Sequence, residues 1–158
     1  TKHVVGIHFQ KIPTDPITGL SAIPYKNVEE EGFFKIDFLH LNVLSLFDSK
    51  EEMRSLLKID PDWTMLEDYE VVKKLFQLSK HYETLCKIKP RSIETLADVN
   101  ALIRTNKSKL IDKYVRNKRS VLTELYTKRE DKDLRKSHAV AYALIIVLQL
   151  HLIKMGRL

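Results

Sequence analysis

The chain has 158 residues and a mass of 18.5 kDa, about the size of one domain or of one domain and part of another. Hydrophobic residues make up 44% and charged residues 30%, which excludes disordered and collagen-like proteins. The single cysteine, Cys86, excludes a disulfide framework and a cysteine-rich zinc site, so we expect a reducing, cytoplasmic setting.

The net charge of +6 is unevenly distributed along the chain. Residues Asp48 to Glu70 include eight acids and three bases, whereas Arg104 to Lys136 includes twelve bases and five acids. A basic segment of this kind attracts polyanions, so nucleic acid or a nucleoside triphosphate is an expected ligand, although a solvated helical face has the same composition.

The first forty residues have the composition of strands and loops. Residues 4–9 are β-branched and aromatic and predict a strand, and the segment Lys11 to Pro24 predicts a loop because prolines and a glycine interrupt it. Residues 33–39 alternate in a strand pattern that places Lys35 and Asp37 on the same face.

The remainder of the chain predicts helices, because apolar residues recur at intervals of three and four. The predicted helices are Leu41 to Leu57, Tyr69 to Leu75, His81 to Lys87, Ile93 to Ile103, Ser108 to Tyr126 and Ser137 to Met155. Asp68, Ser92 and Ser137 are predicted N-caps.

The longest apolar run, Ala139 to Leu148, is too short for a membrane span, which needs about 20 residues. We therefore expect a buried helix there and no membrane partner. Because Thr1 stands where a methionine is expected, we also expect trimming, processing or a fragment.

Five strings then occur in one order along the chain: Lys2 to Ile7, Phe34 to Leu41, Leu75 to Ser79, Leu85 to Ile103 and Lys136 to Leu144. In that order they resemble the C-family DNA polymerase III alpha subunit, the catalytic subunit of bacterial replication. The last string, Lys-Ser-His-Ala-Val-Ala-Tyr-Ala-Leu, is similar to the family's Lys-Ser-His-Ser-Ala-Ala-Tyr-Ala-Leu.

The resemblance implies an α+β fold and a DNA-directed DNA polymerase component. Residues 1–45 would form a small β portion, the C-terminal part of the polymerase palm, and residues 46–158 a mostly α-helical, fingers-like module. The family's long stretch before Lys-Ser-His is reduced here to about thirty residues, which resembles a compact, viral version or a split subunit. A viral protein would act in the host cytoplasm.

The resemblance places the family's third catalytic aspartate at Asp37 and an active-site lysine at Lys35. Carboxylates on a rigid strand hold the Mg²⁺ ions that activate a primer 3′-hydroxyl and neutralise the triphosphate of a deoxynucleotide. The family's other two aspartates have no match before Lys35. We therefore expect the isolated chain to be inactive, with another chain or segment supplying the paired aspartates of a two-metal site on a DNA primer–template.

The predicted substrate contacts lie at the last helix. Lys136, Ser137 and His138 begin that helix, whose N-terminus has partial positive charge and spare N–H donors that suit a phosphate. Arg135 precedes it, and Arg104 stands at the position of the family's Arg-Pro-Gly-Pro. The alternative hypothesis is a non-catalytic basic helical module that binds nucleic acid or a replication protein, in which the polymerase-like strings are relics.

Overall fold

The computed structural model describes residues 2–3, 6–7, 10–24, 27–28, 30–33, 42–130 and 133–158, with only the backbone described at 2–3 and 6–7. The chain divides into two compact units, residues 1–44 and residues 45–158. The second unit contains all the α-helices that are described.

The first unit contains little β structure in its described residues. Strands β1 (Lys2–His3) and β2 (Gly6–Ile7) pair antiparallel, and a single isolated bridge joins Thr14 to Ser21. The chain between those two bridging residues turns at Asp15, whose carboxylate accepts the backbone N–H groups of residues 17 and 18 at 2.9 and 2.7 Å.

The predicted α+β fold with a small β palm portion is therefore wrong for the described part of the chain, which is mostly helical. Two-residue strands are too short to build a sheet face. The prolines of residues 11–24 remove N–H donors that a longer ladder would need, so this segment forms turns.

In its described residues the second unit is built from seven α-helices with short connections. They are α1 (Lys50–Leu56), α2 (Tyr69–Val72), α3 (Tyr82–Ile88), α4 (Ile93–Leu102), α5 (Ile111–Arg116), α6 (Leu122–Tyr126) and α7 (Lys136–Lys154). Short 3₁₀ helices cover Asn42–Leu46, Trp63–Glu67, Ser108–Leu110 and Lys118–Ser120.

Local side chains determine several helix ends. Asp68 accepts the N–H of residue 70 and Ser92 accepts that of residue 95, which confirms both predicted N-caps of α2 and α4. Ser49 caps α1 and breaks the single long helix predicted over residues 41–57. Ser137 is not a cap, because α7 begins at Lys136 and its N-cap residue, Arg135, makes no side-chain capping bond.

Helices α4 and α7 form the centre of the second unit. Their shared core contains alanines on both helices, among them Ala97, Ala139 and Ala143, and these small side chains allow close approach. Among the described residues, α7 is the one helix long and apolar enough to cross a membrane, and 56% of its apolar window is buried inside the protein.

The predicted helix over residues 108–126 is folded back on itself. It divides into α5 and α6 with a 3₁₀ turn between them, and their apolar residues pack on the end of α4 as a second, smaller core. The hydroxyls of Tyr114 and Tyr126 both donate to the carboxylate of Asp98. In a straight helix their Cα atoms would be about 18 Å apart, too far to share one carboxylate.

Candidate functional site

The first turn of α7 presents the predicted phosphate-binding residues to solvent. Arg135, Lys136, Ser137 and His138 are all exposed, and the ammonium of Lys136 lies 6.0 Å from the centre of the Tyr126 ring. A helix of 19 residues has spare N–H donors and partial positive charge at this end. The turn therefore combines two exposed cationic side chains, a hydroxyl and an imidazole with the backbone N–H groups of a helix N-terminus.

The protein interior holds this turn in place from behind. Ala139, the next residue, is fully buried, and its carbonyl accepts a hydrogen bond from Nδ2 of the buried Asn100 at 3.3 Å. The exposed residues thus begin directly where α7 enters the core, which limits how far the turn can move when a ligand binds.

The described residues on both sides of the connection from α6 to α7 contact a buried lysine. The ammonium of Lys107 donates to the carbonyls of Glu124 and Thr127 at 2.7 and 2.9 Å and lies 3.7 Å from the carboxylate of Asp133. Backbone N–H groups of Arg129 and Glu130 also donate to Asp133. Burial acts to raise the pKa of Asp133, but these hydrogen bonds and Lys107 hold it below its usual value.

Arg104, the remaining predicted substrate contact, makes no polar contact with the first turn of α7 in the described residues, so its place in one site with that turn stays a prediction. It follows the end of α4 and is half-buried, and its Nε atom is buried without a hydrogen-bond partner. No hydrogen bond between the described residues joins Arg104 to Lys136, Ser137 or His138. Burial lowers the pKa of the His81 imidazole, and the positive charge of Arg104 lowers it further.

The predicted catalytic pair lies outside the described residues. Asp37 and Lys35 belong to residues 34–41, so their metal-binding and triphosphate roles stay predictions. Within the described residues, no group of three or more histidine, cysteine or carboxylate side chains is placed to hold a metal ion.

A surface groove of about 530 Å³ at the start of α3 was not predicted from the sequence. Its lining includes exposed Tyr69, Lys80 and Glu83 together with His81 and Tyr82, and the two tyrosine rings meet edge to face at 5.4 Å. Burial, followed by the charges of Arg104 and Lys80, holds the pKa of His81 below its usual value. The only sequence signal was the adjacent Lys80, His81 and Tyr82 before a helix, a string too short to interpret alone.

The sequence analysis also missed the buried carboxylate of Asp98. It accepts from Tyr114 at 2.7 Å and Tyr126 at 2.5 Å, and Lys118 lies 2.9 Å away. Burial acts to lower the pKa of Lys118, but hydrogen bonds to Asp98 and Glu94 raise it overall. The available signal was an acid within the apolar string Leu-Ala-Asp-Val-Asn-Ala-Leu, since carboxylates are almost never fully buried without partners.

The other cations of the basic segment that the structure describes lie at the surface. Its described lysines and arginines that are exposed and lie outside the turn of α7 are Lys109, Lys113, Arg116, Arg119, Lys128 and Arg129. This exposure gives the segment a positive surface suited to phosphates.

The chain matches no protein-family model, no curated protein and no solved structure.

Proposed function

We propose that the chain is a nucleotide-binding component of a template-directed DNA polymerase of the C-family type. In this proposal the first turn of α7 binds the triphosphate of an incoming deoxynucleotide. Asp37 and Lys35 would contribute a Mg²⁺ ligand and a phosphate contact, and another chain or segment would supply the paired aspartates.

The observation on which the proposal depends is the exposed turn Lys136, Ser137 and His138 at the N-terminus of a core helix. This turn coincides with the string that most resembles the polymerase family. Its lysine can donate charge-assisted hydrogen bonds, and its backbone N–H groups can donate to phosphate oxygens.

Binding of a fluorescent deoxynucleoside triphosphate in Mg²⁺ tests the turn directly. Lys136→Gln removes one charge-assisted contact, so we expect the affinity to fall about tenfold or more. Lys113→Gln is the matched control, because Lys113 is also exposed and on a helix but lies in α5. Equal losses in the two variants would contradict a defined triphosphate site at α7.

Primer extension tests the catalytic part of the proposal. The chain is mixed with Mg²⁺, a primer–template and a partner chain bearing two aspartates one residue apart on a strand. We expect Asp37→Ala to abolish extension and to leave primer–template binding unchanged, because this substitution removes a metal ligand and no DNA contact. Unchanged extension in Asp37→Ala would refute the assigned role.

The second candidate function is non-catalytic binding of nucleic acid by the basic segment. The exposed cations between residues 109 and 129 favour it, since they do not depend on one site. The logarithm of the binding constant would then fall steeply and linearly with the logarithm of the salt concentration. Each lysine or arginine removed would then reduce the affinity by a similar factor, in contrast to the Lys136-specific loss expected above.

A further inference from the structure

A groove of about 230 Å³ lies between α3 and α5 on the surface of the helical unit. Its lining includes Lys87 and Ile88 from α3, Tyr114 and Val115 from α5, and Lys118 just beyond α5. Val115 is 53% exposed, and no other large apolar side chain in residues 70–130 and 133–154 is as exposed. A single exposed aliphatic residue is ordinary on a protein surface, but Val115 adjoins half-buried Ile88 in the same groove.

Buried polar contacts hold one wall of the groove in place. The hydroxyl of Tyr114 donates to the carboxylate of Asp98 at 2.7 Å. The ammonium of Lys118 lies 2.9 Å from the same carboxylate and 3.1 Å from that of Glu94. Because these contacts exist in the free protein, a ligand would not have to order this wall, and less conformational entropy would be lost on binding.

The surface around the groove is basic. Residues 113–119 contain four cations and no acid, and no carboxylate of the described residues pairs with Arg116 or Arg119. Lys87 pairs with Asp112 at 3.5 Å, but both side chains are exposed, and exposed pairs contribute little to stability. Lys87 can therefore exchange this partner for a carboxylate of a ligand. The charge of the surface thus favours an acidic ligand.

The aliphatic lining favours a protein segment as the occupant. An apolar cavity of about 150 Å³ can hold benzene, so this groove has room for one branched aliphatic side chain. A nucleic acid gains affinity from phosphate contacts and base stacking, and neither uses the side chains of Ile88 and Val115. A second copy of the chain that docked through the same face would bring like charges together, which opposes association.

We propose that this groove docks an acidic segment of a partner protein. The segment inserts one aliphatic side chain against Ile88 and Val115 and places carboxylates beside Lys87 and Arg116. The inference goes beyond the proposed function, because it concerns a protein partner and uses residues separate from the first turn of α7.

Two fluorescent seven-residue peptides test the chemistry of this partner. Glu-Asp-Glu-Leu-Glu-Asp-Glu has an aliphatic side chain at its centre, and Glu-Asp-Glu-Ser-Glu-Asp-Glu has the same charge without it. Fluorescence anisotropy with the whole chain should give an affinity about tenfold higher for the leucine peptide, because only this peptide buries an apolar side chain. Methyl NMR should show that the leucine peptide shifts the signals of Ile88 and Val115.

Substitution of Val115 tests the apolar contact. Val115→Ser should weaken binding of the leucine peptide about threefold or more and leave binding of the serine peptide nearly unchanged. Ile59→Ser is the matched control, because Ile59 is 57% exposed and does not line the groove. Since both residues are exposed, neither substitution should lower the urea midpoint of the free protein by a large amount.

Substitution of Lys87 tests the charged contact. Lys87→Gln should weaken binding of both peptides about threefold, because both have the carboxylates that this lysine would meet. Lys58→Gln makes the same change of charge at an exposed lysine outside the groove and should leave both affinities unchanged.

Three results with the peptides would overturn the inference. They are equal affinities of the two peptides, equal losses in Val115→Ser and Ile59→Ser, and no binding of the leucine peptide at about 1 mM. Each can occur whether or not Lys136→Gln loses the labelled triphosphate, so failure at this groove is separable from failure of the α7 site.

Two further measurements test the other occupants. If an eight-residue oligothymidylate shifts the methyl signals of Ile88 and Val115 and the leucine peptide does not, the surface binds nucleic acid and the inference is wrong. If the protein without peptide self-associates in sedimentation and Val115→Ser abolishes that association, a second copy covers the groove and the inference is likewise wrong.

Discussion

Removal of the Asp98 carboxylate should destabilise the helical unit severely. Asp98 is 1% exposed and receives two tyrosine hydroxyls, from Tyr114 in α5 and Tyr126 in α6, and it pairs with Lys118. The single side chain thereby joins α4 to both halves of the folded-back segment. Asp98→Ala would leave the buried Tyr114 hydroxyl without its acceptor and would create a cavity where the carboxylate had been.

The magnitude follows from the contacts. Each hydrogen bond to a charged group contributes about 1.5–3 kcal/mol, and removing one partner of a buried ion pair costs about 3–5 kcal/mol. Lys118 retains Glu94 at 3.1 Å and part of its hydration, which offsets some of the loss. We therefore expect Asp98→Ala to lower the free energy of unfolding by about 3–5 kcal/mol, a large part of the stability of a domain this size.

Urea unfolding, followed by circular dichroism and by the fluorescence of Trp63, measures this loss. With a slope near 2 kcal/mol per molar urea, the midpoint should fall by about 2 M. Asp98→Asn keeps one acceptor oxygen, so its loss should be smaller and it covers the case in which the alanine variant does not fold. The control is Asp112→Asn, because Asp112 forms an exposed pair with Lys87 at 3.5 Å, and it should change stability by less than about 0.5 kcal/mol.

A loss in Asp98→Ala or Asp98→Asn no larger than that of Asp112→Asn would refute the structural role. It would mean that the two tyrosines and Lys118 find equivalent partners in water, and that α5 and α6 are held on α4 by apolar packing alone.

Three further results are expected. Burial, followed by hydrogen bonds to Asp98, raises the pKa of Tyr114 and Tyr126 in the folded state. The stability that this shift contributes should be fully present below the unfolded tyrosine pKa and should fall as the pH rises beyond about 10. Tyrosinate absorbance should show that these two rings ionise only when the protein unfolds. Gln149 accepts a hydrogen bond from one backbone N–H at 2.8 Å and donates one to a carbonyl at 3.3 Å in the turns of residues 73–80. Gln149→Leu removes both bonds, so the amides of these turns should exchange hydrogen faster, and the free energy of unfolding should fall by about 2–4 kcal/mol. Lys107→Met leaves a buried carboxylate and two carbonyls without their ammonium, and calorimetry should show a loss of about 3–5 kcal/mol.

Helices whose first and last residues are set by a local sequence pattern were predictable from the sequence. The predicted segments at Ile93 and Ser137 lie within one residue of α4 and α7 at both ends. Both have apolar periodicity over at least ten residues, and Ser92 supplies a local start signal for α4. Such signals need no knowledge of the remaining chain.

Elements decided by distant partners were not predictable in this way. The segment over residues 108–126 has a continuous helical pattern, but the contacts of its two tyrosines with Asp98 require a fold-back near Asn117. Propensity is a weak prior that tertiary contacts override. The predicted β palm is wrong for the described residues, where the strands are two residues long and too short to build a sheet face.

The candidate site was predictable only where chemistry and chain order coincide. Lys136, Ser137 and His138 are consecutive, so a single helix start exposes all three. Arg104 and His81 are more than twenty residues apart, and nothing in the sequence relates them. Burial lowers the pKa of His81 and the charge of Arg104 adds to that effect, and both depend on how the chain folds.

The cations of the basic segment that are partly or fully buried in the described residues differ in how they are paired. Lys107 turns inward and meets two carbonyls and Asp133, and Lys118 is partly buried against Asp98 and Glu94. Each is balanced by acceptors within the fold. Arg104 is half-buried, and its buried Nε atom has no hydrogen-bond acceptor among the described residues. Folding therefore stabilises Lys107 and Lys118 through acceptors that it brings together from separate elements, whereas Arg104 is not held in this way.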